Sequence, residues 1–245
     1  MKITFLGTSH GKPEKNRYHT STLLTVDGKH YLIDAGAPVF DLFERNDLRF
    51  SDIKGLFVTH SHIDHIAGLP VLTSALNSKL RFFDVGFPVL VPELEPYLAM
   101  FEFWRGKREL VGRLNYEKYG DGVIFADERI KVTAIPTQHY LNSHALLIEA
   151  EGKRILFTGD LKKDLCDYPA EACAAGAPLD LIVMEAAHQI YAEPYVAETL
   201  AKSNTARMII HHVAEHRNPL PVIEGTLSKL PFPTEVAHDG MAVEL

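Results

Sequence analysis

The sequence has little cysteine, no surplus of basic charge and no long apolar run. Its two cysteines, Cys166 and Cys173, do not form a CxxC pair, which leaves no basis for a disulfide framework or a thiolate zinc site. They read as reduced, structural residues. Lys and Arg total 25 against 32 Asp and Glu, a net charge of −7, which argues against a broad basic face for nucleic acid, although a local patch is compatible with it. No apolar stretch approaches the roughly 18–20 residues of a membrane span. The apolar run of MKITFLGTSHGKPEK stops at Leu6, short of a signal peptide's apolar region. The expectation is a cytoplasmic protein with no membrane association. Low-complexity tracts, linker-like runs and short repeats are also missing. At 46% hydrophobic and 23% charged over 245 residues, the chain has the composition of a soluble globular protein able to bury a sizeable core.

What the sequence does have is histidine, 13 in all, and most of them end or follow β-like runs. KITFLG (2–7), STLLTV (21–26) and HYLIDAG (30–36) read as strands, the last two joined by an Asp27-Gly28 hairpin turn. PVFDLFERN (38–46) reads as a helix starting at proline, GLFVTH (55–60) as a buried strand, 66–77 as a helix and VLVP (89–92) as a strand. Residues 92–104 carry apolar positions at spacing three to four, a helix. Strands are expected again at 129–137, 144–151, 153–160, 180–186 and 206–212, a helix at 193–203, and short β pieces at the end. The two halves are loosely alike, each with hairpins followed by βα units whose strands end in His or Asp. The pattern implies one α/β domain of two packed sheets with helices outside, carrying a helical insert at about 92–119.

HSHIDH (60–65) holds four donors in six residues: His60, His62, Asp64 and His65. In an extended segment residues i and i+2 point the same way, so His60 and His62 can grip one ion. Asp64 and His65 follow a turn and suit a second ion close by. Imidazole and carboxylate donors without thiolate suit zinc, iron or manganese. The remaining donors must come from other strand ends: His139 after VTAIPTQ, Asp160 after ILFTG, and His211 or His212 after ARMII, with His212 preferred. His188 and His216 read equally as neighbours of such a site or as surface residues. His10, His19, His30 and His238 do not read as donors.

HxHxDH, a single His some seventy residues later, Asp in a strand–TGD turn and a final His after a strand together resemble the metallo-β-lactamase fold superfamily. The resemblance covers nearly the whole chain. It implies a four-layer αββα sandwich, two mixed β-sheets flanked by helices, with two divalent metal ions on the edge between the sheets. Zinc is the expected ion, with manganese and iron as the others. Carried over, His60, His62 and His139 would hold the first metal, Asp64, His65 and His212 the second, and Asp160 would bridge them. The implied chemistry is hydrolysis by a metal-bridging hydroxide, since metal binding lowers water's pKa to about 7. Asp64 would orient that nucleophile and accept its proton.

Within the superfamily, HIDHIAGLPVL is similar to the HxDHxxGLPxL segment of ribonuclease Z. LGTSHGKPEKNRYHTS is similar to that family's opening, with Pro13, Lys15, Arg17 and Ser21 in register and Tyr18 in place of Asn. Three departures weigh against a tRNA-processing enzyme. Residues 140–159, between the third and fourth motifs, read as a tight hairpin and leave no room for a substrate-gripping arm. The family's His-Glu-Ala-Thr stretch is Met184–Ala187 here, so His188 is the candidate to protonate the leaving group. The family's Ser and Arg after the last metal His have no clear match in Val213–His216. Cyclic-phosphate phosphodiesterases of the superfamily are similar in size, lack the arm and end in a segment resembling AHDGM (237–241). The expected substrate is therefore a small or cyclic phosphodiester, with RNA as the alternative partner and a lactone or thioester as the alternative chemistry. Residues 105–113, RGKRELVGR, read as a substrate-binding lid, a homodimer surface or the solvated end of an amphipathic helix.

Overall fold

In the computed structural model, residues 1–12, 14–77, 87–105, 115–174 and 176–245 are described. Among the described residues fourteen strands form two seven-stranded sheets. The first contains β1 (Lys2–Gly7), β2 (Ser21–Val26), β3 (Lys29–Ile33), β4 (Ile53–Phe57), β5 (Val89–Val91) and β6 (Tyr116–Lys118). The second contains β7 (Gly122–Ala126), β8 (Ile130–Pro136), β9 (His144–Ala150), β10 (Lys153–Phe157), β11 (Leu181–Ala186), β12 (Met208–Val213) and β13 (Thr234–Val236); β14 (Ala242–Glu244) returns to pair with β1 in the first. Each sheet runs through three antiparallel pairings and then three parallel ones. The likeness of the two halves expected from the sequence is thus a likeness of topology.

Strand alternation sorts the side chains into layers. Ile3, Phe5, Tyr31, Phe57, Val132, Ile148, Phe157, Val183 and Ile209 form the core between the sheets. Their neighbours in sequence, such as Leu32, Leu56 and Val58, face outward onto α1 (Val39–Arg45), α3 (Leu69–Asn77) and α4 (Glu95–Arg105). On the far side Ile182, Met184, Met208 and Ile210 pack against α6 (Pro194–Leu200) and α7 (Leu220–Leu227). The central strands are therefore apolar on both faces, as strands covered by helices must be. This is the αββα sandwich expected from the sequence.

Some boundaries differ from the sequence reading. The helix expected at 66–77 is two: a single turn, α2 (Ile63–Ile66), capped at His62, and then α3. The Ala35 N–H bonds the His65 carbonyl at 2.7 Å and the Gly68 N–H bonds the Ala35 carbonyl at 2.8 Å, so the turn after β3 holds α2 in place. Strands β6 and β7 and helices α5 (Ala170–Ala174) and α7 are further elements. Between motifs, 140–159 forms a turn and the β9–β10 hairpin, closed by Glu151 and Gly152 at φ +51° and +75°. Of the basic stretch 105–113, residues 106–113 lie outside the described residues. No helix among the described residues is long and apolar enough to cross a membrane.

Candidate metal centre

The parallel strands deliver their C-terminal ends to one edge of the sandwich, where donor groups from both sheets meet. His60 and His62 follow β4, and Asp64 and His65 sit on α2. His139 follows β8, Asp160 follows β10, Glu185 is in β11, and His212 is in β12.

Three imidazole nitrogens converge first: His60 Nε2 lies 2.9 Å and His139 Nε2 3.2 Å from His62 Nδ1. Asp160 Oδ2 completes the group at 3.6 Å from His60 Nε2 and 3.7 Å from His139 Nε2. A second group lies on the other side of the same carboxylate. Asp160 Oδ1 is 3.4 Å from His65 Nε2 and 3.4 Å from His212 Nδ1, while Asp64 Oδ2 is 3.7 Å from His65 Nε2 and 2.9 Å from His212 Nε2. The two oxygens of Asp160 thus face the two groups separately.

These residues fit metal ions. Tetrahedral zinc with bonds of 2.0–2.1 Å has ligand–ligand edges of about 3.3–3.4 Å, which the separations in the first group bracket. In the second, Asp64, His65 and His212 gather around one point, while His212 turns Nε2 to Asp64 and Nδ1 to Asp160. His65 Nε2, Asp160 Oδ1 and His212 Nδ1 are buried and have no hydrogen-bond partner. Groups so placed are costly unless something pairs with them. Asp34, Asp64, Asp160 and Glu185 are all buried carboxylates, a concentration of negative charge that calls for cations.

The protonation pattern in the metal-free protein follows from the same crowding. Burial, reinforced by neighbouring histidines, pushes His60 well below the ordinary imidazole range and lowers His62 and His139, leaving them neutral as metal ligands must be. For His65 burial acts downward too, but Asp34 and Asp160 outweigh it and hold it well above the ordinary value. His212 is raised to about 10, burial being outweighed by Asp160 and by the bond to Asp64. Two protons thus stand where positive charge is needed.

A β-bulge separates His211 from His212. Glu185 pairs with His211 and Ala186 with Val213, so His212 is the extra residue, at φ +51°. The bulge turns His212 into the cluster. His211 instead lies against Phe5, ring centroids 6.2 Å apart, with burial as the main force lowering it to about 3.

His188 reaches the same edge. Its Nδ1 is 3.1 Å from Glu185 Oε1 and 3.7 Å from Asp160 Oδ2, and its ring centroid is 4.3 Å from that of His139. Its pKa is raised: burial opposes, and Glu185 wins. A cavity of about 200 Å³ opens here, lined by His10, Gly11, His62, Asp64, Asp160, Ala187, His188, His212 and Arg217. Arg217 Nη1 donates to the Ala187 carbonyl at 2.8 Å.

Sequence reasoning did not single out Asp34, Glu185, Arg217 or Tyr140, whose ring lies 4.3 Å from that of His62. Asp34 ends the HYLIDAG run just as Asp160 ends ILFTGD, and that shared signal could have found it. Arg17 is committed to the protein itself: it bonds Glu215 at 3.2 Å, Thr8 at 2.7 Å and the Ala237 carbonyl at 2.6 Å. His10 joins Glu14 and His216 in a separate group beside the cavity, each nitrogen 3.4 Å from Glu14 Oε1.

Comparison with known proteins finds relatives in sequence and in fold. A family model described as "Anti-Pycsar protein Apyc1" matches residues 1–82. Ribonuclease Z of Synechococcus sp. (strain CC9311) is 31% identical over 180 residues, covering 71% of this chain and 57% of that protein. The chain thus spans little more than half the length of that relative. Among solved structures, the metallo-β-lactamase fold protein YhfI from Bacillus subtilis superposes with a TM-score of 0.75 at 16% identity, over 100% of this chain and 99% of that one. Human tRNase Z, short form, superposes with a TM-score of 0.72 at 20% identity, over 100% and 99%.

Proposed function

This chain is a member of the metallo-β-lactamase fold superfamily near ribonuclease Z, and on that premise we propose that it is a dinuclear metal-dependent hydrolase of small or cyclic phosphodiesters, acting as one domain. The observation that carries this reading is Asp160, whose two carboxylate oxygens face two separate donor groups. His60, His62 and His139 would hold one divalent ion, Asp64, His65 and His212 the other, with zinc the preferred metal for this donor set. The ions would supply Lewis acidity toward a phosphoryl oxygen and activate water at neutral pH.

The chain's own residues account for the rest. Asp64 lines the cavity and orients the attacking water as hydrogen-bond acceptor. Arg217 forms no ion pair with a carboxylate among the described residues, and its guanidinium fork can meet phosphate oxygens. His188, held by Glu185 in its protonated form, delivers a proton to the leaving oxygen. Gly11 lies above Asp64, where a Cβ would be 3.6 Å from the carboxylate, so the loop after β1 closes the cavity without filling it.

Small substrates are favoured over folded RNA for two reasons. The stretch 140–159 is a turn and hairpin with no arm, and the net charge of −7 is unsuited to phosphate-driven RNA binding. The test is a screen of metal-reconstituted protein on 2′,3′-cyclic nucleotides, bis-p-nitrophenyl phosphate, an acyl-lactone, a thioester and pre-tRNA. Turnover of the first two, lowered about 10²–10⁴-fold by Asp64→Ala, is expected. Activity confined to the lactone or thioester would overturn the reading, and efficient pre-tRNA cleavage would replace it with the endonuclease alternative.

A further inference from the structure

Beside the cavity, apart from the two donor groups that Asp160 faces, a third set of side chains meets. His10 Nε2 and His216 Nδ1 each lie 3.4 Å from Glu14 Oε1, and the two imidazole rings are 5.0 Å apart at 32°. One donor atom from each of the three residues lies within 4.8 Å of the others. The two separations of 3.4 Å match the edge of a zinc tetrahedron with bonds of about 2.0–2.1 Å. Two imidazoles and one carboxylate are also a set that zinc takes when it keeps a fourth position open.

Hydrogen bonding does not account for this arrangement. His10 Nε2 is buried and has no hydrogen-bond partner, although Glu14 Oε1 is only 3.4 Å away. A buried ring nitrogen in that position is costly unless something pairs with it. The other ring nitrogen, Nδ1, meets the Lys12 N–H at 3.4 Å, beyond the usual range, so the ring can turn a lone pair outward at Nε2. Glu14 Oε1 is fixed in place by the Glu215 N–H, which it accepts at 3.0 Å.

The donors come from two segments that the fold has already stitched together. Ser9 and Val213 form a β-bridge, and the Val213 N–H donates to the Thr8 carbonyl at 2.8 Å. The Glu14 N–H donates to Ser9 Oγ at 3.0 Å, and Arg17 pairs with Glu215 at 3.2 Å. Glu14 and His216 are 202 positions apart in sequence, so no local spacing marks the set.

We propose that His10, Glu14 and His216 form a further divalent-metal site, selective for zinc, whose ion fastens the loop after β1 to the segment after β12 at the mouth of the cavity. The site is separate from the donor groups around Asp160 and does not depend on which bond the protein hydrolyses. His10 and Gly11 line the cavity, as does Arg217 beside His216, so an ion here fixes one wall of the entrance. With three donors, and with the His216 side chain 46% exposed, it binds zinc more weakly than the buried edge does. Its occupancy therefore rises and falls with the free zinc around the protein.

The test is a calorimetric zinc titration of the full chain, desalted with whatever ions it retains. One further equivalent is expected in the wild type. His216→Ala and Glu14→Gln should each weaken it by at least about 10-fold, the least that loss of a supporting group costs at a metal. The first removes an exposed side chain and the second keeps an acceptor for the Glu215 N–H, so both variants should fold. Hydrogen exchange at the amides of residues 14–18 should slow as the further equivalent binds, and should not slow in either variant. Absence of a further equivalent, or equal affinity in the wild type and both variants, would overturn the site. Binding without slowed exchange would overturn the fastening. Each readout is a difference between wild type and variant, so it stands whether or not the edge around Asp160 holds two ions or the protein hydrolyses a phosphodiester.

Discussion

The Asp34 carboxylate lies 2.7 Å from His65 Nδ1, and its other oxygen accepts the Thr59 N–H at 2.7 Å. A carboxylate only accepts, so Nδ1 carries the proton and Nε2 is left to face Asp160. Asp34, in the turn after β3, therefore sets the tautomer and the aim of a histidine on α2. Partners of this kind change metal affinity or activity by about 10–100-fold when removed. Asp34→Ala is expected to weaken metal retention by that factor, read by competition with a chromophoric chelator. Because it also strips the Thr59 N–H of its acceptor, a stability loss of about 1–3 kcal/mol should accompany it.

His188 and Glu185 give a prediction that depends on the leaving group. A proton donor matters for an alkoxide such as ribose and little for p-nitrophenolate, which departs unaided. His188→Ala should lower turnover of a cyclic nucleotide about 10²–10⁴-fold and affect bis-p-nitrophenyl phosphate far less. Glu185→Gln should shift the basic limb of the pH–rate profile downward, because Glu185 is what raises the His188 pKa against its burial. Equal losses on both substrates would remove His188 from the role of acid.

The bulge in β12 makes adjacent histidines unequal. His212→Ala is expected to release metal, whereas His211→Leu, which keeps an apolar contact with Phe5, should keep the full metal complement. Metal analysis of the two purified variants decides the matter, and metal loss in His211→Leu alone would reverse the assignment.

The metal-free protein should lose stability in alkali. Burial lowers the His212 pKa, but Asp160 and Asp64 outweigh it and raise the group from 6.5 to about 10. A raised folded pKa stabilises fully below the unfolded value, so this contribution is present up to about pH 6.5 and fades as pH climbs through about 10. Metal binding requires the neutral imidazole and competes with that proton. With zinc present the stabilisation should therefore grow between about pH 6.5 and 10, as that proton is given up more easily. Calorimetric melting over a pH series, with chelator and with zinc, should give curves of opposite slope, and parallel curves would contradict this.

The sandwich, and the histidines and aspartates that gather at its edge, were legible in sequence because both are local or strongly patterned. Strands buried on two faces leave unbroken apolar runs, as in DLIVMEA, and HSHIDH packs four donors into one turn. What could not be read depends on tertiary placement. Asp34 and Glu185 are ordinary acids in strand contexts until the fold turns them inward. Which of His211 and His212 faces the cluster depends on a one-residue bulge, which the alternation of apolar residues does not record. Helix α7, LPVIEGTL, holds a proline and a glycine, and its helical state comes from Ile223 and Leu227 packing on the second sheet rather than from propensity. β6 has three residues, one of them buried, too few to show a period.

The two donor groups draw on both sheets: His60, His62, Asp64 and His65 from the first, His139, Asp160 and His212 from the second. Ions held there would act as a removable clasp across the sandwich, joining residue 60 to residue 212 without any covalent link. A ligand bound only by the folded state adds about 2.7 kcal/mol of stability at one hundred times its dissociation constant. The resistance of this fold to opening would then follow the free metal concentration around it, so that a drop in supply would loosen the sheets as it silenced the chemistry.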